Sequence, residues 1–367
     1  MGNRQRFGLQ ADTLESVLEH FETRYFRGTR YRYLPKYRGP LDRGAVLFGA
    51  DEHPVCGYPK IPRALMLDPG VPEQFDGPFV VEEKLNGYNV RVAHLGGKVV
   101  AFTRSGIACP FSTHLVKRRL DLDSLFEARP NLAVCGEVIG PENPYTAYDY
   151  PDVESAAFRA FDLRDRRTSD PVPVDRRREL LDAHGLPQTR SFGTFAPDET
   201  DAIASIVDEL DAQGREGIVM KSVDGRTQLK YTTGASTESD LTHAFSLPFE
   251  YGRSFVFQRL LREAFRAVEH DADTTERAHA VGEAILDPLV ETIENVDDGQ
   301  AVGQKHTVRA PPRIVTELLS HLRDQGLTID LLADETSAGE RVVTFRKRMR
   351  STEDKTKAYL DGQPVDY

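Results

Sequence analysis

From residue 79 to about 232 the chain is a succession of short apolar runs punctuated by charge: FVVEEKL, YNVRVAHL, KVVAFTR, LAVCGEVI, AFRAFDL, EGIVMKS and TQLKYTT. Each has strand length, and several are rich in β-branched residues, which pack well on a pleated surface. Helical spacing interrupts them. STHLVKRRLDLDSLFEA opens on Ser112 as a cap, and PDETDAIASIVDELDAQ sets Ile203, Ile206, Val207 and Leu210 at i, i+3, i+4 and i+7. The stretch predicts an α+β domain with largely antiparallel sheets.

The flanks read differently. Residues 12–26 put Leu14, Val17, Leu18 and Phe21 on one helical face, with Asp12 and Glu15 spaced as a capping box. Residues 24–41, RYFRGTRYRYLPKYRGPL, then hold six basic residues and five aromatics without an acid. That interleaving suits either a nucleic-acid track, cations on phosphates and rings on bases, or a half-buried strand with solvated arginines. After about 236 the pattern predicts longer helices, at 253–270 and 274–296, then the turn DDGQAVGQ. A proline-opened amphipathic helix, PPRIVTELLSHLRDQG, and two short strands, LTIDLL and RVVTF, follow. Four parts result: a basic and aromatic module at 1–60 suited to RNA contact, the sheet domain at 61–235, a helical module at 236–299, and an α/β domain at 300–367.

Composition narrows the class. With 367 residues and 39% hydrophobic content the chain can bury cores for two or three domains. No apolar run approaches the roughly 18–20 residues of a membrane helix, and the first residues lack a secretory h-region, so a soluble cytoplasmic protein is expected. Cys56, Cys109 and Cys135 have neither disulfide nor zinc spacing and read as inert thiols. A net charge of −11 excludes a uniformly nucleic-acid-coating surface, so local charge decides. Arginine outnumbers lysine 36 to 11 and aspartate outnumbers glutamate 31 to 27, a bias that suits salt adaptation and base-composition drift equally. The clusters KRR at 117–119, RRR at 176–178 and RKRMR at 346–350 read as solvated faces.

The segment EEKLNGYNVRV, 82–92, carries the candidate chemistry. Asn86-Gly87 predicts a tight type I′ hairpin turn, and strand alternation sets Glu82, Lys84 and Asn86 on one face, with Glu83 and Leu85 on the other. Downstream, strand after strand carries a charged or polar residue within or beside an apolar run: Arg104, Glu137, Asp162 after Phe161, Glu216 with Lys221, and Lys230. Charge on apolar strands needs a partner, and one anionic ligand with a metal ion satisfies all of it.

The order Lys84-x-x-Gly, Arg104-Ser-Gly, Gly-Glu137, Phe161-Asp, Glu216-Gly-Ile-Val-x-Lys221 and Lys230-Tyr resembles the covalent nucleotidyltransferase superfamily of ATP-dependent DNA ligases, RNA ligases and mRNA capping enzymes. The fuller strings EEKLNGYNVRV, TRSGIACPF and GEVIGPENPY resemble the archaeal homodimeric ATP-dependent RNA ligases over nearly the whole chain. Helices at 236–325, where DNA ligases carry a β-rich OB-fold, favour the RNA branch. Two positions depart from the pattern. Asn86 stands where aspartate is commonest, and the basic pair of the last motif is reduced to Lys230.

The resemblance implies an antiparallel-sheet, ATP-grasp-like nucleotidyltransferase core with a small N-terminal module and a mostly helical C-terminal half. It implies Lys84 as the nucleophile that carries AMP, with Lys221 and Lys230 assisting. Glu82 would read the adenine edge, Phe161 stack on the base, and Arg104 and Glu137 contact ribose. Glu83, Leu85, Asn86 and Glu216 would complete the ATP site, and Glu137 and Glu216 would serve Mg²⁺ or Mn²⁺. The substrate would be RNA with 5′-phosphate and 3′-hydroxyl ends, the assembly a homodimer. Cationic neighbours would help deprotonate the lysine, whose ordinary pKa near 10.4 leaves few molecules competent. A DNA ligase, or a degenerate protein that only holds RNA ends, are the alternatives.

Overall fold

The computed structural model describes Phe7, Leu9 and residues 11–364, with side chains for Phe7, Leu9 and residues 13–364. Helix α1 (Ala11–Leu18) precedes an antiparallel sheet of β1 (Glu22–Phe26), β2 (Thr29–Tyr33), β3 (Val46–Phe48) and β4 (His53–Val55) in sequence order. The predicted helix over 12–26 therefore ends at Leu18. The Thr-, Tyr- and Phe-bearing end pairs with β2 instead, Glu22 opposite Tyr33. The side chain of Asp12, expected to cap, lies outside the described ones.

The central domain begins with α2 (Gly70–Gln74) and continues through β5 (Phe79–Lys84), β6 (Tyr88–Leu95), β7 (Lys98–Thr103), α3 (Pro110–Arg119), α4 (Leu122–Ala128), β8 (Leu132–Ile139), β9 (Ala157–Asp165), α5 (Val174–Ala183), β10 (Ser191–Phe195), α6 (Thr200–Ala212), β11 (Gly217–Ser222) and β12 (Gln228–Thr232). These strands form two antiparallel sheets, ordered β10-β5-β11-β12 and β7-β6-β8-β9. The fold is α+β with antiparallel sheets, as expected. The single helix predicted from Ser112 is two, broken at Leu120, and its cap is Cys109, whose sulfur accepts the Ser112 N–H.

The Asn86-Gly87 turn differs from expectation. Strands β5 and β6 belong to different sheets, so the chain crosses between layers here and forms no hairpin. Neither residue has positive φ, which a type I′ turn requires. Gly87 is needed for close approach: a Cβ there would collide with the Val138 carbonyl and reach Glu137 Cγ at 3.0 Å. The dipeptide thus brings β6 against β8 beside Glu137.

Both faces of the second sheet are covered, which explains runs that are apolar throughout rather than alternating. On one face Phe26, Tyr31, Tyr33 and Phe48 of the N-terminal sheet pack against Ala93, Leu95 and Phe102. Segment 24–41 thus runs through two partly buried strands, the end of β1 and β2, with Arg27 on Glu317 at 2.7 Å and Arg32 on Glu52 at 2.5 Å, while Tyr25 and Tyr37 stay exposed. The other face, with Val90, Val134 and Phe158, shares one core with the C-terminal domain through Leu318, Leu322 and Phe345. Arg91, on β6, locks the N-terminal module down, donating to the carbonyls of Cys56, Gly44 and Thr103.

Beyond β12 come α7 (Gly234–Phe245), α8 (Arg253–Glu269) and α9 (Thr274–Asp297). Then follow β13 (Gly303–Ala310), α10 (Pro312–Asp324), β14 (Ile329–Ser337), β15 (Glu340–Arg348) and α11 (Arg350–Leu360), with sheet order β13-β15-β14. Strand β13 interrupts the span read as helices; its alternation of polar and apolar residues, GQKHTVRA, starts inside a segment that the glycines had marked as turn. No helix among the described residues is long and apolar enough to cross a membrane.

Candidate active site

The cross-strand register places the site. Strand β11 lies between β5 and β12, with Glu82 opposite Val219 opposite Lys230, and Lys84 opposite Gly217 opposite Thr232. Directly paired residues share a face, so Glu82, Lys84, Lys221, Gln228, Lys230 and Thr232 all point one way. Their reverse face, with Val81, Ile218 and Met220, packs on α2 and α6. Opposite this floor stands the second sheet, and between the two lies a cavity of about 350 Å³ bordered by Lys84, Arg104, Glu137, Phe161, Lys221 and Lys230. Sequence reasoning thus assembled one site from six strands.

The cavity has two chemically distinct ends. At one, Glu82 is 1% exposed and all four of its lone-pair directions are taken. Lys221 Nζ donates at 2.9 Å, Arg178 at 3.0 Å and Arg177 through both terminal nitrogens. Burial alone would raise this carboxyl; the charges and hydrogen bonds of Lys221 and Arg177 instead hold it down at about 2. Lys221 also donates to the Phe161 carbonyl at 2.6 Å and sits 5.5 Å from that ring's centroid, and burial pushes its amine below the usual range. Tyr58 meets the Phe161 ring edge-on, 5.3 Å between centroids, and donates to Asp162 at 3.0 Å. The RRR cluster is a solvated face only in part: Arg176 is exposed, but Arg177 is buried counter-charge to Glu82. Lys347 of RKRMR is buried too, on the Pro144 carbonyl at 2.5 Å.

At the other end Lys84 Nζ lies 2.5 Å from Glu216 Oε1. Glu137 faces the same charges. Burial first, and Glu216 besides, raise its carboxyl to about 8 against the pull of Lys84 and Arg104. Lys230 is pushed down to about 7 by burial and by Arg63, Lys84 and Arg104. Two oxygens bordering the cavity, Asn89 Oδ1 and Thr189 Oγ1, are buried without a hydrogen-bond partner.

Glu83 and Leu85 point away as alternation predicted, Glu83 standing 3.9 Å from Arg215 and Leu85 packing beside Ile139 and Tyr150; they border the cavity without aiming side chains into it. Asn86 is not brought to it, and its N–H donates to the Tyr150 hydroxyl at 2.7 Å. The sequence also missed Tyr58, Arg63, Arg177 and Thr189. Only the position of Arg177 on the otherwise apolar face of α5, in helical register with Val174 and Leu181, offered a signal.

Among the described residues no three His, Cys, Asp or Glu side chains gather to hold a metal by themselves. Glu137 and Glu216 nevertheless fit a divalent cation that shares its shell with phosphate oxygens, as Mg²⁺ commonly does. Glu216 raises the cost of ionising Glu137, which such a cation relieves.

Known proteins match this architecture. Residues 77–232 fit the RNA ligase family and residues 243–363 the C-terminal region of the Pab1020 ligase. An uncharacterized protein of Methanocaldococcus jannaschii is 34% identical over 371 residues, covering 95% of this chain and 93% of that one. An archaeal ATP-dependent RNA ligase superposes with a TM-score of 0.92 at 38% identity, over 99% of this chain and 98% of its own. A putative ATP-dependent DNA ligase from Aquifex aeolicus superposes at 0.90 with 26% identity, over 97% and 100%. The chain belongs to the archaeal ATP-dependent RNA ligase family, with a nucleotidyltransferase core and a Pab1020-type C-terminal region.

Proposed function

We propose that the protein joins RNA 5′-phosphate and 3′-hydroxyl ends at the expense of ATP, through AMP carried on Lys84. The observation that carries the reading is the primary amine of Lys84, at the end of β5, between an aromatic, hydrogen-bonding pocket and a cluster of cations. A nucleotide fits that polarity. Its base lies at Phe161, where the Thr189 hydroxyl lacks a partner, and its ribose hydroxyls answer Asn89 Oδ1, Arg104 and Glu137. Glu82, saturated by cations, acts by positioning Lys221 and the α5 arginines rather than by offering adenine a free lone pair.

The reaction has three phosphoryl steps. Lys84 Nζ loses its proton and bonds to the α-phosphorus while pyrophosphate leaves; the AMP passes to the RNA 5′-phosphate; the 3′-hydroxyl attacks that activated phosphate and AMP departs. Catalysis of such steps is mainly positioning and charge stabilisation. Arg104 and Lys230 supply cationic charge, and Glu216 orients the lysine amine. Mg²⁺ or Mn²⁺ held by Glu137 and Glu216 would supply neutralisation of phosphate charge.

ATP labelled on its α-phosphate tests the reading. Wild type should acquire covalent label and Lys84→Ala none, while the variant should still seal RNA that already carries a 5′-adenylate, because the lysine forms no bond in that step. Label on Lys84→Ala would move the nucleophile elsewhere. Unlabelled wild type under every divalent metal would favour an RNA-end-binding protein. Because a relative of the same architecture is described as a DNA ligase, the polymer is decided by sealing RNA against nicked DNA; preferential sealing of DNA would overturn the RNA assignment.

A further inference from the structure

Between β8 and β9 the chain runs through a loop, residues 140–156, none of which borders the nucleotide cavity. Two of its tyrosines nevertheless reach back to the segments that carry the reacting end. Asn143 folds the first half of the loop: its amide donates to the carbonyls of Gly140 and Thr146, and its oxygen accepts the N–H groups of Tyr145 and Thr146. With that turn fixed, Tyr148 and Tyr150 meet edge to face, 5.1 Å between ring centroids. The Tyr148 hydroxyl donates to the Gly214 carbonyl, two residues before Glu216.

Tyr150 makes two further contacts that packing alone does not require. Its ring lies among Leu85, Ile139 and Val153, and its hydroxyl accepts the Asn86 N–H at 2.7 Å and donates to the Asn86 carbonyl at 3.4 Å. Asn86 sits where the chain leaves one sheet for the other, outside the ladders of both β5 and β6, so the phenol stands in for a strand partner. Burial pushes that phenol above its ordinary range, and the hydroxyl keeps the proton it donates. The second contact is with Arg215, whose guanidinium lies 4.4 Å from the centroid of the Tyr150 ring. Arg215 Nη1 is buried without a hydrogen-bond partner, and Glu83 stands 3.9 Å off, so the ring face takes the place of water at this charge. The next residue is Glu216, whose carboxylate is 2.5 Å from Lys84 Nζ.

We propose that Tyr150 is a positioning residue for adenylylation: its hydroxyl fixes the peptide just beyond Lys84, its ring fixes the residue before Glu216, and together they set the lysine amine against that carboxylate. The proposal rests on the adenylylation reading above and changes no bond in it. It concerns where the attacking nitrogen stands when the α-phosphorus arrives. Reacting atoms must be aligned at about 3–3.5 Å, and a misplacement of about 1 Å can cost on the order of a hundredfold. Lys84 is the last residue of β5, so the chain beyond it is held by what Asn86 finds. Sealing of RNA that already carries a 5′-adenylate forms no bond to Lys84, so that step should not feel the clamp.

Two variants separate the contacts. Tyr150→Phe keeps the ring over Arg215 and removes only the hydroxyl, whereas Tyr150→Leu removes both; should Tyr150→Leu not fold, Tyr150→Phe carries the test. With saturating ATP labelled on its α-phosphate, lysyl-AMP formation should slow about tenfold in Tyr150→Phe and about a hundredfold in Tyr150→Leu, with ATP affinity within about twofold of wild type. Both variants should seal RNA carrying a 5′-adenylate at near wild-type rate. Wild-type adenylylation by Tyr150→Phe would overturn the proposal. Equal loss in both assays would make Tyr150 a prop for the loop and overturn it likewise. Hydrogen exchange read by mass spectrometry, on the full-length protein without ATP or RNA, gives an answer independent of catalysis: the peptide spanning 84–88 should exchange faster in Tyr150→Phe while β6 beyond Val90 stays protected. Unchanged exchange there refutes the clamp whatever the enzyme does. If wild type never labels, the adenylylation reading fails by itself, and faster exchange in Tyr150→Phe would leave the tie between Tyr150 and Asn86 standing.

Discussion

Replacing Glu82 by glutamine keeps the shape of the side chain and removes the charge on which Lys221, Arg177 and Arg178 converge. The magnitude follows from the carboxyl's titration. It is held at about 2 in the folded protein against an ordinary 4.5, and at ~1.36 kcal/mol per pH unit the difference is worth about 3 kcal/mol. Glu82 is 1% exposed, so solvent screening takes little away. The figure agrees with the roughly 3–5 kcal/mol for breaking a buried ion pair from one side. Because the folded-state pKa is depressed, the contribution is complete above about pH 4.5 and is lost as pH falls from there toward 2. Urea unfolding followed by fluorescence should therefore show Glu82→Gln less stable by about 3 kcal/mol at pH 7, a midpoint shift of about 1 M for a slope near 3 kcal/mol/M. The gap should stay constant from pH 8 to 5 and narrow on further acidification. Adding Lys221→Met should restore part of the loss, since the second change removes a cation that the first left unpaired. A variant within ~0.5 kcal/mol of wild type at pH 7, or a gap that widens with acid, would refute the account of Glu82 as the anchor of this end of the cavity.

Glu137, raised to about 8, would hold a divalent cation only as a carboxylate, so on the proposed role metal affinity of the free protein should climb as pH rises through about 8, and Glu137→Gln should abolish that dependence; a flat wild-type titration by calorimetry would remove Glu137 from the metal site. Its raised folded-state pKa has the opposite stability sign from Glu82: the protein should lose stability from this group as pH rises from about 4.5 through 8, and Glu137→Gln should be spared that loss in urea unfolding. Gly87→Ala should destabilise by about 1–3 kcal/mol through the collision with the Val138 carbonyl and should slow adenylylation by displacing Glu137; wild-type unfolding and labelling would contradict the close-approach argument. Helix α8 buries Arg262 and Glu263 while Phe257 and Val268 stand 63% and 75% exposed, and Leu286 of α9 is 60% exposed, so a second copy covering this face should give a dimer mass in light scattering; a monomer at micromolar concentration would sink the expectation.

Seven apolar runs became seven strands within a residue or two because strand formation here answers to local pattern, and the charges interrupting them became the site because a charge on an apolar strand must face something. What escaped has one physical cause. Pairings across the fold leave no periodic trace: Glu82 meets arginines 95 and 96 residues away, and Thr232 meets one arginine 169 residues earlier and another 30 later. The same blindness misled the reading of RRR, since a run of arginines looks solvated until a buried carboxylate is placed opposite it. Asn86-Gly87 failed for a subtler reason. Its local preference for a hairpin is real, but β5 gains β10 and β11 as neighbours and β6 gains β7 and β8, so each strand is paired on both edges without the other. Glycine is then required by the carbonyl it must pass rather than by its φ. The departure at Asn86 has the same resolution: with its side chain away from the cavity, the missing aspartate charge is not missing from the site, which draws its carboxylates from β8 and from the residue before β11.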